Sequence, residues 1–233
     1  MNPKISFIIP VFNEQENLPK LFETILQFTE AEIIFVDGGS NDQSIHLIEQ
    51  IIGKRNQNIQ LIHTGKSRSK QMNAGADISK GEMLVFLHAD TKIQKESADY
   101  LAGFVDSKKA VVGSYKFKVD SPNLKFRMLE FFVEVRNYLF KLPYGDQVFF
   151  VSRDLWNSVG KFKEIMIMED LEWIKRVSTN HDLMLLPFYA ETDGRRWKKN
   201  GFIKNSALNL YLQFRYFCGD DPSQLHKLYY NSN

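Results

Sequence analysis

Two acidic side chains stand at the ends of apolar runs in the first hundred residues. Asp37 follows the run at 32–36, and Asp90 follows the run at 83–87, with His88 two positions before it. A carboxylate at such a place can accept hydrogen bonds from a base edge or a ribose. It can also hold Mg²⁺ or Mn²⁺, because phosphates and waters complete the shell of such an ion. Asp37 is equally well explained as a turn residue before two glycines, and Asp90 as a helix cap beside a packed histidine.

Further charged segments could act on the same kind of ligand. The sequence KSRSK at 66–70 precedes a predicted helix that contains Asn73, and a cationic helix entrance suits a diphosphate. The sequence RRW at 195–197 joins two fixed cations to a stacking surface, and arginine binds phosphate through two hydrogen bonds. Glu169 and Asp170 open a helix after an apolar run, surroundings that bring the pKa of a general base toward neutrality. Each segment also has an ordinary explanation as a solvated loop, a surface patch or a helix-dipole contact.

One more polar group precedes an apolar run in the second half of the chain. Gly145, Asp146 and Gln147 could bind a second substrate, the acceptor, or form a loop turn. The order of these segments along the chain is more specific than any one of them. It runs from the strand-end acids through the basic helix entrance and the acid pair to the Arg-Arg-Trp segment. They all suit a nucleotide diphosphate that carries a transferable group.

The apolar pattern predicts the elements that would bring these residues together. Short apolar runs alternate with helical spacings at 5–10, 32–36, 59–63 and 83–87. Such alternation predicts an α/β fold, a mostly parallel sheet with helices on both faces. Ligands of these sheets bind at the carboxyl ends of the strands, where Asp37, Asp90 and Glu14 are expected. Asn13 is expected to cap the first helix, with Glu16 in its first turn.

The second half is less regular and rich in aromatic residues. We predict strands at 110–117 and 147–152, helices at 123–141, 169–178 and 203–217, and a last short helix capped by Asp221 before Pro222. The apolar stripe of 123–141 and the basic amphipathic stretch 195–217 admit a peripheral membrane role. We favour core and acceptor wall for both, and a homodimer stays open.

Composition excludes several classes. The chain has 233 residues, 43% of them hydrophobic and 25% charged, which is an ordinary globular profile. A net charge of +2 argues against a dedicated nucleic-acid binder. The single cysteine, Cys218, excludes an internal disulfide and a multi-cysteine zinc site. With no signal-peptide pattern and no membrane-length apolar run, we expect a cytoplasmic protein, at most peripheral at the inner face of the membrane.

The ordered set resembles the family 2 glycosyltransferases of GT-A fold. The stretches that carry the resemblance are FIIPVFNE (7–14), FVDGGSNDQS (35–44), the region of Arg68, Asn73 and Gly75, LHAD (87–90) and MEDLEW (168–173). Finer features resemble the subgroup named for arsenosugar biosynthesis, a radical-SAM/selenodomain-associated transferase: RSKQMNAGA (68–76), YGDQVFFVSRD (144–154), GRRW (194–197) and DDPSQLHKLYY (220–230).

The resemblance implies a role for each motif residue. The donor would be bound by Pro10, Glu14, Asp37, Arg68, Asn73, His88, Arg196 and Trp197, with Asp37 reading the base and Arg68 beside the diphosphate. Asp90, the last position of a D-x-D motif, would hold the divalent cation, and Asp170 would be the catalytic base. The acceptor would meet Gly145, Asp146, Gln147 and Glu169. His88 replaces the first Asp of D-x-D. Asp193 stands where the processive synthases have the Gln of Q-x-x-R-W, which argues for a single transfer.

The expected enzyme is a metal-dependent, hexosyltransferase-like glycosyltransferase that inverts the sugar by a single displacement. Its donor would be a nucleotide-diphosphate sugar, with UDP favoured, and its acceptor a small molecule, a lipid carrier or a glycan. We expect one GT-A domain over 1–233: a nucleotide-sugar half at 1–118, an acceptor half at 119–200 and a helical tail at 201–233. Two alternatives remain, a nucleotidyltransferase and a non-catalytic sugar-nucleotide-binding module. The former normally has a glycine-rich loop after the first strand, where this chain has VFNE.

Overall fold

The computed structural model describes residues 3–54, 58–140, 143–144, 147–193 and 202–232. The strands in these ranges are β1 (Ile5–Val11), β2 (Glu32–Asp37), β3 (Ile59–His63), β4 (Met83–Phe86), β5 (Thr91–Ile93), β6 (Val112–Val119), β7 (Phe149–Ser152) and β8 (Met184–Thr192). The helices are α1 (Leu18–Ile25), α2 (Ser44–Lys54), α3 (Arg68–Ile78), α4 (Glu96–Asp106), α5 (Leu124–Phe140), α6 (Arg153–Val159), α7 (Glu169–Ser178), α8 (Phe202–Phe217) and α9 (Pro222–Ser232).

The eight strands form one sheet in the order β3-β2-β1-β4-β7-β6-β8-β5. The first four strands pair in parallel, and β6 pairs in parallel with β8. The pairings β4–β7, β6–β7 and β5–β8 are antiparallel. The predicted fold class, a mostly parallel α/β sheet, is therefore confirmed. The apolar pattern had not indicated β5, β8, α4 or α6.

Helices cover both faces of the sheet because side chains of β1 alternate between two cores. Phe7 and Ile9 face a core shared with α1, α2 and α4, whereas Ile8 faces a core shared with α3, α6 and α7. The helix α3 lies especially close to the sheet. A Cβ at Gly75 would lie 2.5 Å from Cγ2 of Ile8, so only glycine allows this approach. This packing fixes the start of α3, and with it Arg68, above the strand ends.

The expected cap of α1 by Asn13 is wrong. The helix begins at Leu18 after Asn17, and Pro19 lies in its first turn, where proline is tolerated. Asn13 has a positive φ of 55° and accepts a hydrogen bond from the backbone N–H of Asn41 at 2.9 Å. The side chain of Asn13 is therefore bonded to a loop 28 residues further along the chain and does not cap the helix.

The apolar stripe of α5 is mostly exposed, so its expected place in the core is wrong, while its expected role as acceptor wall stays a prediction. Phe126 and Val133 are buried against β6, but the residues of the main stripe face solvent. The exposed large side chains are Leu124, Met128, Phe131, Phe132, Tyr138 and Leu139. On α8 the exposed side chains are Leu210, Tyr211, Phe214 and Phe217. Over the described ranges, no helix combines the length and the apolarity needed to cross a membrane.

Candidate active site

A cleft lies at the carboxyl ends of β1 and β4, beside the start of α3. It is lined by Pro10, Val11, Phe12, Glu14, Arg68, Gln71, His88, Ala89 and Asp90. Five residues predicted from the sequence thus meet here, four of them as donor-binding candidates and Asp90 as the metal candidate. The cation of Lys66 adds positive charge at the edge, since its Nζ lies 4.0 Å from the centre of the Phe12 ring.

Hydrogen bonds between two loops position Glu14 at this cleft. The hydroxyl of Ser40 accepts from the backbone N–H of Asn13 at 2.9 Å, and that of Ser44 accepts from the N–H of Glu14 at 2.8 Å. The carboxylate of Asp42 accepts from the N–H of Gln15 at 3.1 Å. The segments FNE and GGSNDQS therefore act as one unit that joins the ends of β1 and β2.

Asp37 is buried beneath this unit, with 1% of its surface exposed. Its carboxylate accepts from the backbone N–H groups of Gly39 at 2.8 Å and Ser40 at 3.1 Å, and it contacts Nδ1 of His63 at 3.4 Å. Burial raises the pKa of Asp37, but these hydrogen bonds outweigh burial, so the pKa is lowered. Asp37 therefore holds the turn as a carboxylate, and its reading of a base stays a prediction.

Gln71 also lines the cleft, although it was not expected from the sequence. Its Nε2 donates to the carbonyl of Val11 at 2.8 Å and to that of Val36 at 2.7 Å. One buried amide thus ties the ends of β1 and β2 together under the cleft. Its position in α3, three residues after Arg68, is the signal that could have found it, because residues three apart share a helix face.

Arg68 is the electrostatic centre of the site. Its Nε lies 3.9 Å from Oε1 of Glu169, and 42% of its side chain remains exposed. Desolvation lowers the pKa of the guanidinium, but the charges of Glu169, Asp170 and Asp90 raise it more, so the pKa is raised. Arg68 is therefore within electrostatic reach of both the acid pair and the metal candidate.

The acid pair at the start of α7 divides into a buried and a half-buried residue. Glu169 is 6% exposed, whereas Asp170 is half-buried and accepts from the backbone N–H of Leu171 at 2.7 Å. Met168, just before them, has a left-handed backbone with φ of 68°. The indole of Trp173 anchors the helix by donating to the carbonyl of Gly160 at 2.9 Å. Of the two acids, Asp170 is the more exposed.

Burial, followed by the nearby charge of Asp170, raises the pKa of Glu169 to about 6, against the opposing effect of Arg68. The folded state then binds more protons than the unfolded state between pH 4.5 and 6, so this group lowers stability as pH rises through that window. We predict that Glu169→Gln, which mimics the neutral form, is more stable than wild type by about 2 kcal/mol above pH 6 and equal to it below pH 4.5.

Urea unfolding of both proteins at pH 4.5 and pH 7.5 measures this difference. Glu164→Gln is the control, because Glu164 is exposed and its ion pair with Lys70 at 3.7 Å contributes little. A Glu169→Gln protein that is less stable than wild type at pH 7.5 would contradict the assignment.

Other predicted site residues lie elsewhere. The amide of Asn73 is buried and bonded both ways to the backbone of Phe162, at 2.9 and 3.1 Å. Gln147 is fully buried: its Oε1 accepts from Arg136 at 2.8 Å and its Nε2 donates to the carbonyl of Tyr115 at 3.1 Å. Neither amide lines the cleft. Gly145, Asp146, Arg196 and Trp197 lie outside the described residues.

The chain returns to Asp90 just before its GRRW sequence. The backbone N–H of Asp193 donates to the carbonyl of Asp90 at 3.3 Å, and Asp193 pairs with Lys20 at 3.7 Å. No group of three or more His, Cys, Asp or Glu side chains is arranged for a metal ion in the part of the chain that the structure describes. Asp90 alone still fits Mg²⁺ or Mn²⁺, whose other ligands would be substrate phosphates and water.

The fold is found in several solved glycosyltransferases. The fragment 1–349 of S. aureus TarS superposes with a TM-score of 0.63 at 22% identity, over 81% of this chain and 60% of the fragment. The mannosyltransferase PcManGT from Pyrobaculum calidifontis, solved with GDP-Man and Mn²⁺, superposes with a TM-score of 0.66 at 15% identity. The match covers 96% of this chain and 67% of PcManGT. GalNAc-T7, solved with UDP, GalNAc and Mn²⁺, superposes with a TM-score of 0.60 at 14% identity. The match covers 82% of this chain and 44% of GalNAc-T7.

At these identities the likeness concerns the fold, which is the GT-A fold of glycosyltransferases. This chain spans about 60% of the TarS fragment. The sequence itself carries the family assignment, because the model of glycosyl transferase family 2 matches residues 6–167, more than half of the chain. The chain belongs to glycosyltransferase family 2.

Proposed function

We propose that the chain transfers a sugar from a nucleotide-diphosphate sugar to an acceptor hydroxyl. The observation that carries the proposal is that Arg68 and Asp90 line one cleft, while Glu169, next to Asp170 at the start of α7, lies 3.9 Å from Arg68. A fixed cation, a metal-binding carboxylate and an accessible base are the groups that such a transfer needs. Membership of family 2 supports the reaction class.

The transfer is a single displacement. Asp170 accepts the proton of the acceptor hydroxyl as its oxygen attacks the anomeric carbon, and the bond from that carbon to the diphosphate breaks with inversion. Arg68 stabilises the charge that develops on the departing diphosphate. Asp90 would hold Mg²⁺ or Mn²⁺, which supplies Lewis-acid neutralisation of the same charge when bound. Glu169 keeps the guanidinium of Arg68 in place.

The remaining assignments extend this proposal over the chain. Residues 1–118 bind the donor, 119–200 face the acceptor and 201–233 form the tail. Arg196 and Trp197 contribute to the donor site, and Gly145 and Asp146 to the acceptor side. Gln147 supports the acceptor side from its buried position through Arg136.

The donor and the acceptor are proposed only as classes. TarS has been solved with UDP-GlcNAc and PcManGT with GDP-Man, so the fold accepts both nucleotides. A UDP-hexose is the first donor to try. The acceptor is a small molecule, a lipid carrier or a glycan. The single cysteine supports a cytoplasmic enzyme, with peripheral contact at the inner face of the membrane as an alternative.

A thermal-shift screen of nucleoside diphosphates with and without Mn²⁺ tests the donor site. A ligand at 100 times its Kd adds about 2.7 kcal/mol of stability, so one diphosphate should raise the Tm in a Mn²⁺-dependent way. Incubation with the matching sugar donor should then release the nucleoside diphosphate. Release of pyrophosphate would indicate a nucleotidyltransferase, and binding without release a sugar-nucleotide-binding module. No shift with any diphosphate at millimolar concentration would contradict the proposal.

A further inference from the structure

The outer face of α5 carries an uncovered apolar surface, which we name the α5 stripe. It consists of Leu124, Met128, Phe131, Phe132, Tyr138 and Leu139, each between 55% and 86% exposed. At 100° per residue these side chains fall within about 120° of the helix circumference, and at 1.5 Å per residue they extend over about 23 Å. The stripe is therefore continuous along the helix.

The opposite face of α5 is already packed, so the helix cannot turn its stripe inward. Phe126 and Val133 form a small core with Phe117 and Val119 of β6. Glu130 accepts from the backbone N–H of Val119 at 2.8 Å. The position of the helix on the sheet is thus fixed by contacts that leave the stripe facing outward.

The stripe is larger than a monomer normally exposes. With about 200 Å² for each large side chain, its six members leave roughly 800 Å² in water. The largest apolar patch on a typical monomer measures about 300–600 Å². A standard protein interface buries about 800 Å² on each partner, which is the area that this stripe offers.

The charges around the stripe do not favour a lipid surface. Arg127 is committed to the carbonyls of Val119 at 2.9 Å and Ser121 at 3.0 Å, and Arg136 donates to Gln147 at 2.8 Å. Among the described residues of α5, the exposed ionic side chains that flank the stripe are Lys125 and Glu134, one of each sign. Helices that lie on anionic membranes carry several lysines or arginines, and each adds about 1 kcal/mol of attraction.

We propose that a second copy of this chain covers the α5 stripe and that the protein is a homodimer through this helix. Phe131 and Phe132 stand at the midpoint of the stripe, with Leu124 and Leu139 near its two ends. In an antiparallel two-fold pairing, the aromatic centre of one copy therefore packs against the aromatic centre of the other. The Leu124 end of each copy then meets the Leu139 end of its partner. Such an interface is isologous, the commonest kind in soluble oligomers.

Sedimentation equilibrium from 1 to 100 μM tests the dimer. The wild-type mass should be twice that of the 27.2 kDa chain. Phe131→Glu should weaken association by at least about 100-fold, because a carboxylate then enters an apolar centre. Met128→Glu is the second variant if Phe131→Glu fails to fold. Phe214→Glu on α8 is the control: Phe214 is 64% exposed against 61% for Phe131, yet it lies outside the stripe and its loss should leave the dimer intact.

Far-UV circular dichroism confirms that each variant is folded before its mass is compared. A wild-type protein that is monomeric throughout this range overturns the proposal. Dissociation by Phe214→Glu but not by Phe131→Glu also overturns it and moves the interface to α8. A monomer that pellets with vesicles of phosphatidylglycerol and phosphatidylcholine assigns the stripe to a lipid surface instead.

Discussion

Asp170→Asn is expected to lower the rate of sugar transfer by about 10²–10⁴-fold, the usual contribution of a general base. Asparagine has the same shape as aspartate but cannot take the proton of the acceptor hydroxyl. Its side-chain oxygen can still accept from the N–H of Leu171, so the start of α7 should be preserved. The rate is measured as release of nucleoside diphosphate at saturating donor and acceptor, and the Kd for the nucleoside diphosphate should stay unchanged.

Asp99→Asn is the matched control, since Asp99 also lies in the first turn of a helix but is exposed on α4. Both variants lose one negative charge, and only Asp170→Asn should lose activity. Normal turnover by a folded Asp170→Asn protein would remove Asp170 from the role of base. A loss of nucleotide binding would instead place Asp170 on the donor side.

The parallel strands β1, β2 and β4 were predictable because buried parallel strands are continuous apolar runs. β3 and α7 have the predicted bounds, and β1 and β2 differ from theirs by one residue. β5 escaped prediction because three residues are too few to show a period. The position of the α5 stripe escaped it because spacing identifies a helix face but not what that face meets.

The candidate site was predictable where local chemistry decides the position of a residue. Arg68 and Asp90 follow from a helix start and a strand end, and both line the cleft. Asn73 and Gln147 were predicted from motifs, but their amides are satisfied by backbone and side chains distant in sequence. Such partners are set by tertiary packing, which a single sequence does not display.

Arg68→Gln is expected to reduce kcat/KM by about 10²–10³-fold, the typical cost of losing one preorganised group that stabilises transition-state charge. It should also weaken binding of the nucleoside diphosphate, measured by calorimetry. Arg68→Lys should recover part of the loss, because lysine keeps the charge without the two-pronged geometry. Lys70→Gln is the control on the same helix, since Lys70 is exposed and pairs with Glu164.

A second substitution separates two explanations of that loss. If Arg68 only neutralised buried Glu169, then Glu169→Gln should restore activity to the Arg68→Gln protein, because no buried charge would need a partner. If Arg68 binds the diphosphate, the double variant should stay as slow as Arg68→Gln. The cycle of single and double variants gives the coupling between the two residues directly. Full rescue would make Arg68 a structural counter-ion and would leave Asp90 and its cation to stabilise the departing diphosphate.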